Sequence, residues 1–358
     1  MRRKKFALLV INRVNYQMFQ IPDQISGVPT NIITGFLGAG KTSTILQLLK
    51  NKPEGERWAV LVNEFGEIGI DGALIEGQYS EDEGVFIREV PGGCMCCTAG
   101  MPMRVALTQL LRRAKPDRLL IEPTGLGHPT EVIQTLTEES FRGVIAAQKI
   151  VTVVDARHLS DKRYLESETF NEQISIADVV VGNKHDLYND NDKIALQTYL
   201  QKRSLDDVHL VFTERGNIEP ALLEGSNKHS NSNAALTQFA LNASSASEQS
   251  YQSLEIALPD CGYIKAQNEG EGFVSIGWRF SEKFEFNDIK LFTFLSGIQA
   301  QRLKATFITS KGSLGYNITP DSLTEIPLEE LDESRIEIIA HELNEDWEQS
   351  LFDCVNNE

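Results

Sequence analysis

The segment Gly35-Phe36-Leu37-Gly38-Ala39-Gly40-Lys41-Thr42 has the residue types and spacing of a phosphate-binding loop. Glycines at 35, 38 and 40, with Ala39 between them, let the backbone turn its N–H groups inward around an anion. The helical pattern that follows, through Ile45, Leu48 and Leu49, adds the positive end of a helix dipole. In such a cradle Lys41 reaches the outer phosphates, the Thr42 hydroxyl ligates Mg²⁺, and Ser43 follows on the same turn. A plain glycine-rich turn before a helix is the alternative, and the Lys-Thr pair at the end of the loop argues against it.

Asn183-Lys184-His185-Asp186 follows an apolar run, where phosphate-loop proteins place base recognition. A carboxylate at 186 accepts hydrogen bonds from the N1–H and 2-amino group of guanine. Adenine offers neither donor and leaves the carboxylate unpaired, so GTP and GDP are the expected nucleotides, held by Asn183, Lys184 and Asp186. Glu122-Pro123-Thr124-Gly125 ends another apolar run; Glu122 is a second candidate beside Mg²⁺, and the Gly125 N–H suits the γ-phosphate. The segment from Asn63 to Gly72 carries Glu64, Glu67 and Asp71 among three glycines, a composition suited to a loop that closes on nucleotide and Mg²⁺. Any of its three acids could be the one at the metal.

Gly92-Gly93-Cys94-Met95-Cys96-Cys97 holds three of the five thiols of the chain within four positions. That spacing is poor for a disulfide framework and good for thiolate ligation of Zn²⁺ or another soft transition metal. Cys94 and Cys96 project to one side of an extended segment, and Cys97 joins them through a turn. Glu64, Glu67, a histidine, water or another protein could supply a fourth ligand. A redox pair and inert buried thiols are the competing interpretations. Cys261 and Cys354 are expected to be structural.

These residues need a scaffold, and the chain supplies one. Apolar runs at Asn31–Thr34, Trp58–Val62, Val85–Val90, Arg118–Ile121, Ile150–Val154, Asp178–Val181 and His209–Phe212 alternate with helical patterns. The clearest helix has Met103, Leu107, Leu110, Leu111 and Ala114 on one face and Pro102 in its first turn. This predicts an α/β fold, a P-loop NTPase-type mainly parallel sheet flanked by helices, over residues 28–225. Residues 226–250 are polar, small and aperiodic, which predicts a linker. Beyond it, alternation at Leu254–Leu258 and Val274–Phe280, a helix near 287–299 and strands near 305–309 and 336–339 predict a smaller α+β C-terminal domain over 251–358.

Residues 1–27 are expected to be a dispensable extension, since their basic run and short apolar run suit neither a signal peptide nor a membrane span. The net charge of −17 argues against phosphate-mediated nucleic-acid binding. Residues 321–358 hold thirteen acidic residues against Arg335 alone, which is expected to form a solvated surface. A reducing, cytoplasmic location follows from the clustered thiols.

Taken in order, the phosphate loop, Asn63-Glu64-Phe65-Gly66, Gly92-Gly93-Cys94-Met95-Cys96-Cys97, Glu122-Pro123-Thr124-Gly125 and Asn183-Lys184-His185-Asp186 resemble the CobW-type metallochaperone GTPases of the SIMIBI class. The resemblance spans about residues 30 to 190 and is weaker in the second domain. It implies metal-stimulated GTP hydrolysis, Cys94, Cys96 and Cys97 as metal ligands between two loops that sense the γ-phosphate, and delivery of the metal to a client metalloprotein. The histidine-rich stretch of several relatives is missing, since the linker has His229 alone, which argues against metal storage. No glutamine stands directly after Gly125 to position a water, so intrinsic hydrolysis is expected to be slow. A small-molecule kinase or ATPase predicts ATP preference instead, and a zinc sensor or buffer predicts metal binding indifferent to nucleotide.

Overall fold

The computed structural model describes residues 25–62, 79–90, 101–228 and 258–356, apart from 271, 321 and 329. Its first part is built on eight strands: β1 (Val28–Thr34), β2 (Trp58–Val62), β3 (Val85–Glu89), β4 (Arg118–Glu122), β5 (Ile145–Ala147), β6 (Val151–Val154), β7 (Val179–Gly182) and β8 (His209–Phe212). They lie in the order β3-β2-β4-β1-β6-β7-β8, every pairing parallel, with the short β5 beside the start of β1. Helices α1 (Lys41–Lys50), α2 (Met101–Ala114), α3 (Pro129–Leu136), α4 (Lys162–Glu166), α5 (Glu168–Ser175) and α6 (Asp190–Lys202) connect them.

The continuous apolar runs are explained by burial on both faces. Ile32, Leu61, Leu119 and Ile121 point into one core with Leu107 and Leu111 of α2, whereas Ile33, Val60, Val62 and Leu120 point into the other with Ile45 and Leu48 of α1. All seven expected strands are present, six with both ends within a residue of the expected ones, while β1 begins at Val28, three residues before the expected Asn31. β5 was not foreseen, since three half-buried residues leave almost no periodic signal. Ile25 is buried in the first core and Gly27 N–H donates to the Gly143 carbonyl, so the end of the stretch read as an extension is packed. At the other boundary, Asn227 is buried and Lys228 N–H donates to Asp178 Oδ1 at 2.9 Å.

The second part is a six-stranded antiparallel sheet made of β9 (Tyr263–Gly270), β10 (Phe273–Ser281), β11 (Arg302–Thr309), β12 (Gly312–Thr319), β13 (Ser322–Pro327) and β14 (Glu333–Ala340). The order is β13-β12-β11-β14-β10-β9. With α7 (Asp288–Gly297) and α8 (Asp346–Phe352), one sheet face encloses Ile276, Trp278, Phe280, Leu303, Phe307 and Ile336. The period of two sends Ser275, Lys304, Thr306 and Glu337 to the opposite face. That face is polar, yet these four residues are buried. The first part of the molecule covers it: the rings of Phe36 and Phe273 lie 6.2 Å apart, Gln301 Nε2 donates to the Tyr164 hydroxyl at 2.8 Å, and Arg335 Nη1 is 3.7 Å from Glu89 Oε2. The acidic end is therefore only partly solvated, because Glu337 is buried and Glu333 is paired with Arg279 and Arg335.

Candidate nucleotide site

The phosphate loop joins β1 to α1 over the carboxyl edge of the sheet, the edge where parallel α/β folds collect ligands. Its backbone is one that only glycine fits at two positions. Gly35 has φ +144°, and a Cβ there would lie 2.2 Å from the Val153 carbonyl oxygen. Gly40 has φ +104°, and a Cβ there would lie 2.3 Å from Asn183 Nδ2. Gly38, also at positive φ, abuts Thr319 and the Gln301 carbonyl of the second domain. Ser43 is half-buried on the first turn of α1.

Lys41 and Thr42 are both buried. Lys41 Nζ donates to the Phe36 carbonyl at 3.4 Å, across the loop it closes. The Thr42 hydroxyl donates to Glu122 Oε1 at 2.9 Å and accepts from Lys304 Nζ at 3.1 Å. Glu122 is 2% exposed at the end of β4. A hydroxyl and a carboxylate brought together at the mouth of a phosphate loop form a hard oxygen donor set, the kind that suits Mg²⁺. Gly125, three residues on, packs against Leu37, and its carbonyl accepts from Gln173 Nε2 at 3.1 Å.

Asn183 is a tie rather than a free reader of the base. It is buried, its Nδ2 donates to the Ala39 carbonyl at 2.9 Å, and its Oδ1 accepts from Gly216 N–H at 2.9 Å. One amide thus holds the phosphate loop, the loop after β7 and the loop after β8 in one arrangement. Lys184 follows in the left-handed region at φ +59° and its Nζ lies 3.3 Å from Asp155 Oδ2. Burial alone would raise the Asp155 carboxyl, but Arg157, Lys184 and His158 hold it below the usual range. Asp186 is exposed in the 3-10 turn His185–Leu187, open to a base.

The structure brings Lys41, Thr42, Glu122, Gly125 and Asn183 together. Asp71, Glu64, Cys94, Cys96 and Cys97 lie outside the described residues. Among the described residues, no group of three or more His, Cys, Asp or Glu side chains is placed to hold a metal ion, and no helix is long and apolar enough to cross a membrane. Of the remaining thiols, Cys354 is buried in the second core, which pushes it up to about 11, and Cys261 is exposed.

Three groups escaped the sequence. Asp155 ends an apolar strand just as Glu122 does, and Thr213-Glu-Arg-Gly follows β8 as Asn-Lys-His-Asp follows β7, so both had a positional signal. Lys304 had none, because it sits inside an ordinary alternating strand.

This parallel sheet, with its phosphate loop, hydroxyl–carboxylate pair and Asn-Lys-His-Asp turn, defines a P-loop GTPase. The chain belongs to the family described as CobW/HypB/UreG, nucleotide-binding domain, whose model matches residues 29–208. It is 37% identical over 322 residues to the zinc chaperone YeiR of Escherichia coli (strain K12), covering 89% of this chain and 94% of that one. It is also 37% identical over 163 residues to the zinc-regulated GTPase metalloprotein activator 1 of Schizosaccharomyces pombe (strain 972 / ATCC 24843), covering 45% of this chain and 39% of that one. A crystal structure of the zinc-bound YjiA GTPase from E. coli covers 93% of this chain and 100% of its own, at 18% identity and a TM-score of 0.39.

Proposed function

We propose that this GTPase is a metallochaperone in which nucleotide state controls zinc held by Cys94, Cys96 and Cys97 for delivery to a client protein. The observation that carries this is the register at the sheet edge. Val62 stands opposite Glu89 on one side and Glu122 on the other. β2, which runs into the segment carrying Glu64 and Asp71, therefore ends beside Glu122, the acid that holds Thr42, and β3, which runs into the segment carrying the three cysteines, ends one strand further along the same edge. Relatives whose names include zinc chaperone and zinc-regulated support zinc as the metal. The close spacing of Cys94, Cys96 and Cys97 fits a reducing compartment such as the cytoplasm.

In this mechanism Lys41 and the loop N–H groups bind the phosphates, and Asp186 accepts from the guanine edge. Thr42 and Glu122 are the residues that would hold Mg²⁺, which would neutralise charge on the phosphates. Gly125 N–H addresses the γ-phosphate, and Glu64 and Asp71 are the acids that answer to its presence. Leu126, buried beside Phe36 and Leu37, offers no polar group to orient water, so turnover is slow until metal or client completes the site.

Zinc affinity of the reduced protein, titrated against a chelator in the nucleotide-free, GDP and non-hydrolysable GTP states, tests this. An affinity that changes with nucleotide and is abolished by replacing Cys94, Cys96 and Cys97 with Ser is expected. An affinity indifferent to nucleotide would leave a GTPase with a separate metal site.

A further inference from the structure

A lysine buried at a domain seam is costly unless the place it occupies has a use for the charge. Lys304 on β11 is 4% exposed, on the polar face of the second sheet, and its ammonium donates to the Thr42 hydroxyl at 3.1 Å. Directly across the ladder it faces Glu337, 3% exposed. Around Thr42 the two domains thus assemble two buried cations, Lys41 and Lys304, and two buried carboxylates, Glu122 and Glu337.

We propose that Lys304 is a γ-phosphate-sensing residue of the nucleotide site, contributed by the C-terminal domain. Its ammonium donates to the same oxygen that is assigned above to Mg²⁺. Two cations on one hydroxyl oxygen repel, so a metal-bound nucleotide drives the ammonium off Thr42. The terminal phosphate of GTP offers it an anionic partner in the same pocket, whereas GDP ends one phosphate short. The long flexible stem of lysine permits that move while the strand stays in the sheet. Lys304 thereby favours the triphosphate over the diphosphate and carries nucleotide state into the second sheet. Nothing in the phosphate loop's own sequence supplies this contact.

Lys304 can act this way only if the phosphate loop binds guanine nucleotide with Thr42 at the metal, as proposed above. The test uses the full chain with Mg²⁺ and fluorescent GDP and non-hydrolysable GTP. Lys304→Met removes the ammonium that faces Glu337 across the ladder, so Lys304→Met/Glu337→Gln is measured beside it. We expect both variants to lose about tenfold or more in affinity for the GTP analogue, the worth of one charge-assisted hydrogen bond, while GDP affinity stays within about twofold. A GTP-to-GDP preference unchanged from the parent, whether both affinities hold, fall or rise together, overturns the role of Lys304. A parent chain that binds neither nucleotide would overturn the nucleotide site itself, and the role of Lys304 with it.

Discussion

At the scale of single residues, the nucleotide site rests on atoms for which substitution has a definite cost. Asp186 is exposed and offers only acceptors, so Asp186→Asn replaces one acceptor oxygen by an N–H₂ donor that faces the guanine 2-amino group. Loss of GDP affinity by about 100-fold or more is expected, with gain for xanthosine diphosphate, whose 2-oxo group accepts that donor; calorimetric titration with both nucleotides checks it. Gly35 is the other fixed point. Gly35→Ala sets a methyl 2.2 Å from the Val153 carbonyl at φ +144°, and a loss of about 4 kcal/mol or more in urea unfolding is expected. The glycine was legible as part of a motif; its contact with β6 was not, because Val153 is more than a hundred positions away.

At the scale of elements, α3 begins next to the site, at His128-Pro129, just after Gly125-Leu126-Gly127. His128 and Thr130 both hydrogen-bond to Glu172 of α5. Burial pushes the nearby Glu131 carboxyl up to about 7 from its ordinary 4.5, with His128 opposing and Glu172 adding to the rise. The native state therefore holds this proton more tightly than the unfolded chain does. The stabilising share of that proton is complete below about pH 4.5 and is lost as the pH rises to about 7. Glu131→Gln removes this dependence, so the urea midpoint of the variant should fall less than that of the parent between about pH 5 and 7.5.

At the scale of the whole molecule, the two domains share a seam that is part aromatic and part charged. Phe273 of β10 meets Phe36 of the phosphate loop, and Phe36 also packs edge-on against Tyr164 and Phe170. Truncating Phe273 removes one side of that cluster, at an expected cost of about 3 kcal/mol. The parent should unfold in one calorimetric transition; Phe273→Ala should split it in two and weaken the linkage between nucleotide and second-domain stability. A single, merely lowered transition in the variant would show that Phe273 does not hold the seam.

The sequence by itself determined seven of the eight strands of the first sheet, the phosphate loop and the Asn-Lys-His-Asp turn after β7, because each is local: a period, a spacing or a motif within about eight residues. It also placed the second domain, through the alternation of β10. Only the tertiary structure decided what that alternation meant. A strand reading polar on one face predicts water on that face, yet Lys304, Thr306 and Glu337 are covered, and one of them reaches Thr42 from 262 positions away. The same is true of Asn183, whose motif is readable while its two ends tie loops that no spacing connects. Period and motif report the neighbours a residue has along the chain. The partner that makes a buried charge tolerable comes from packing two folded surfaces together.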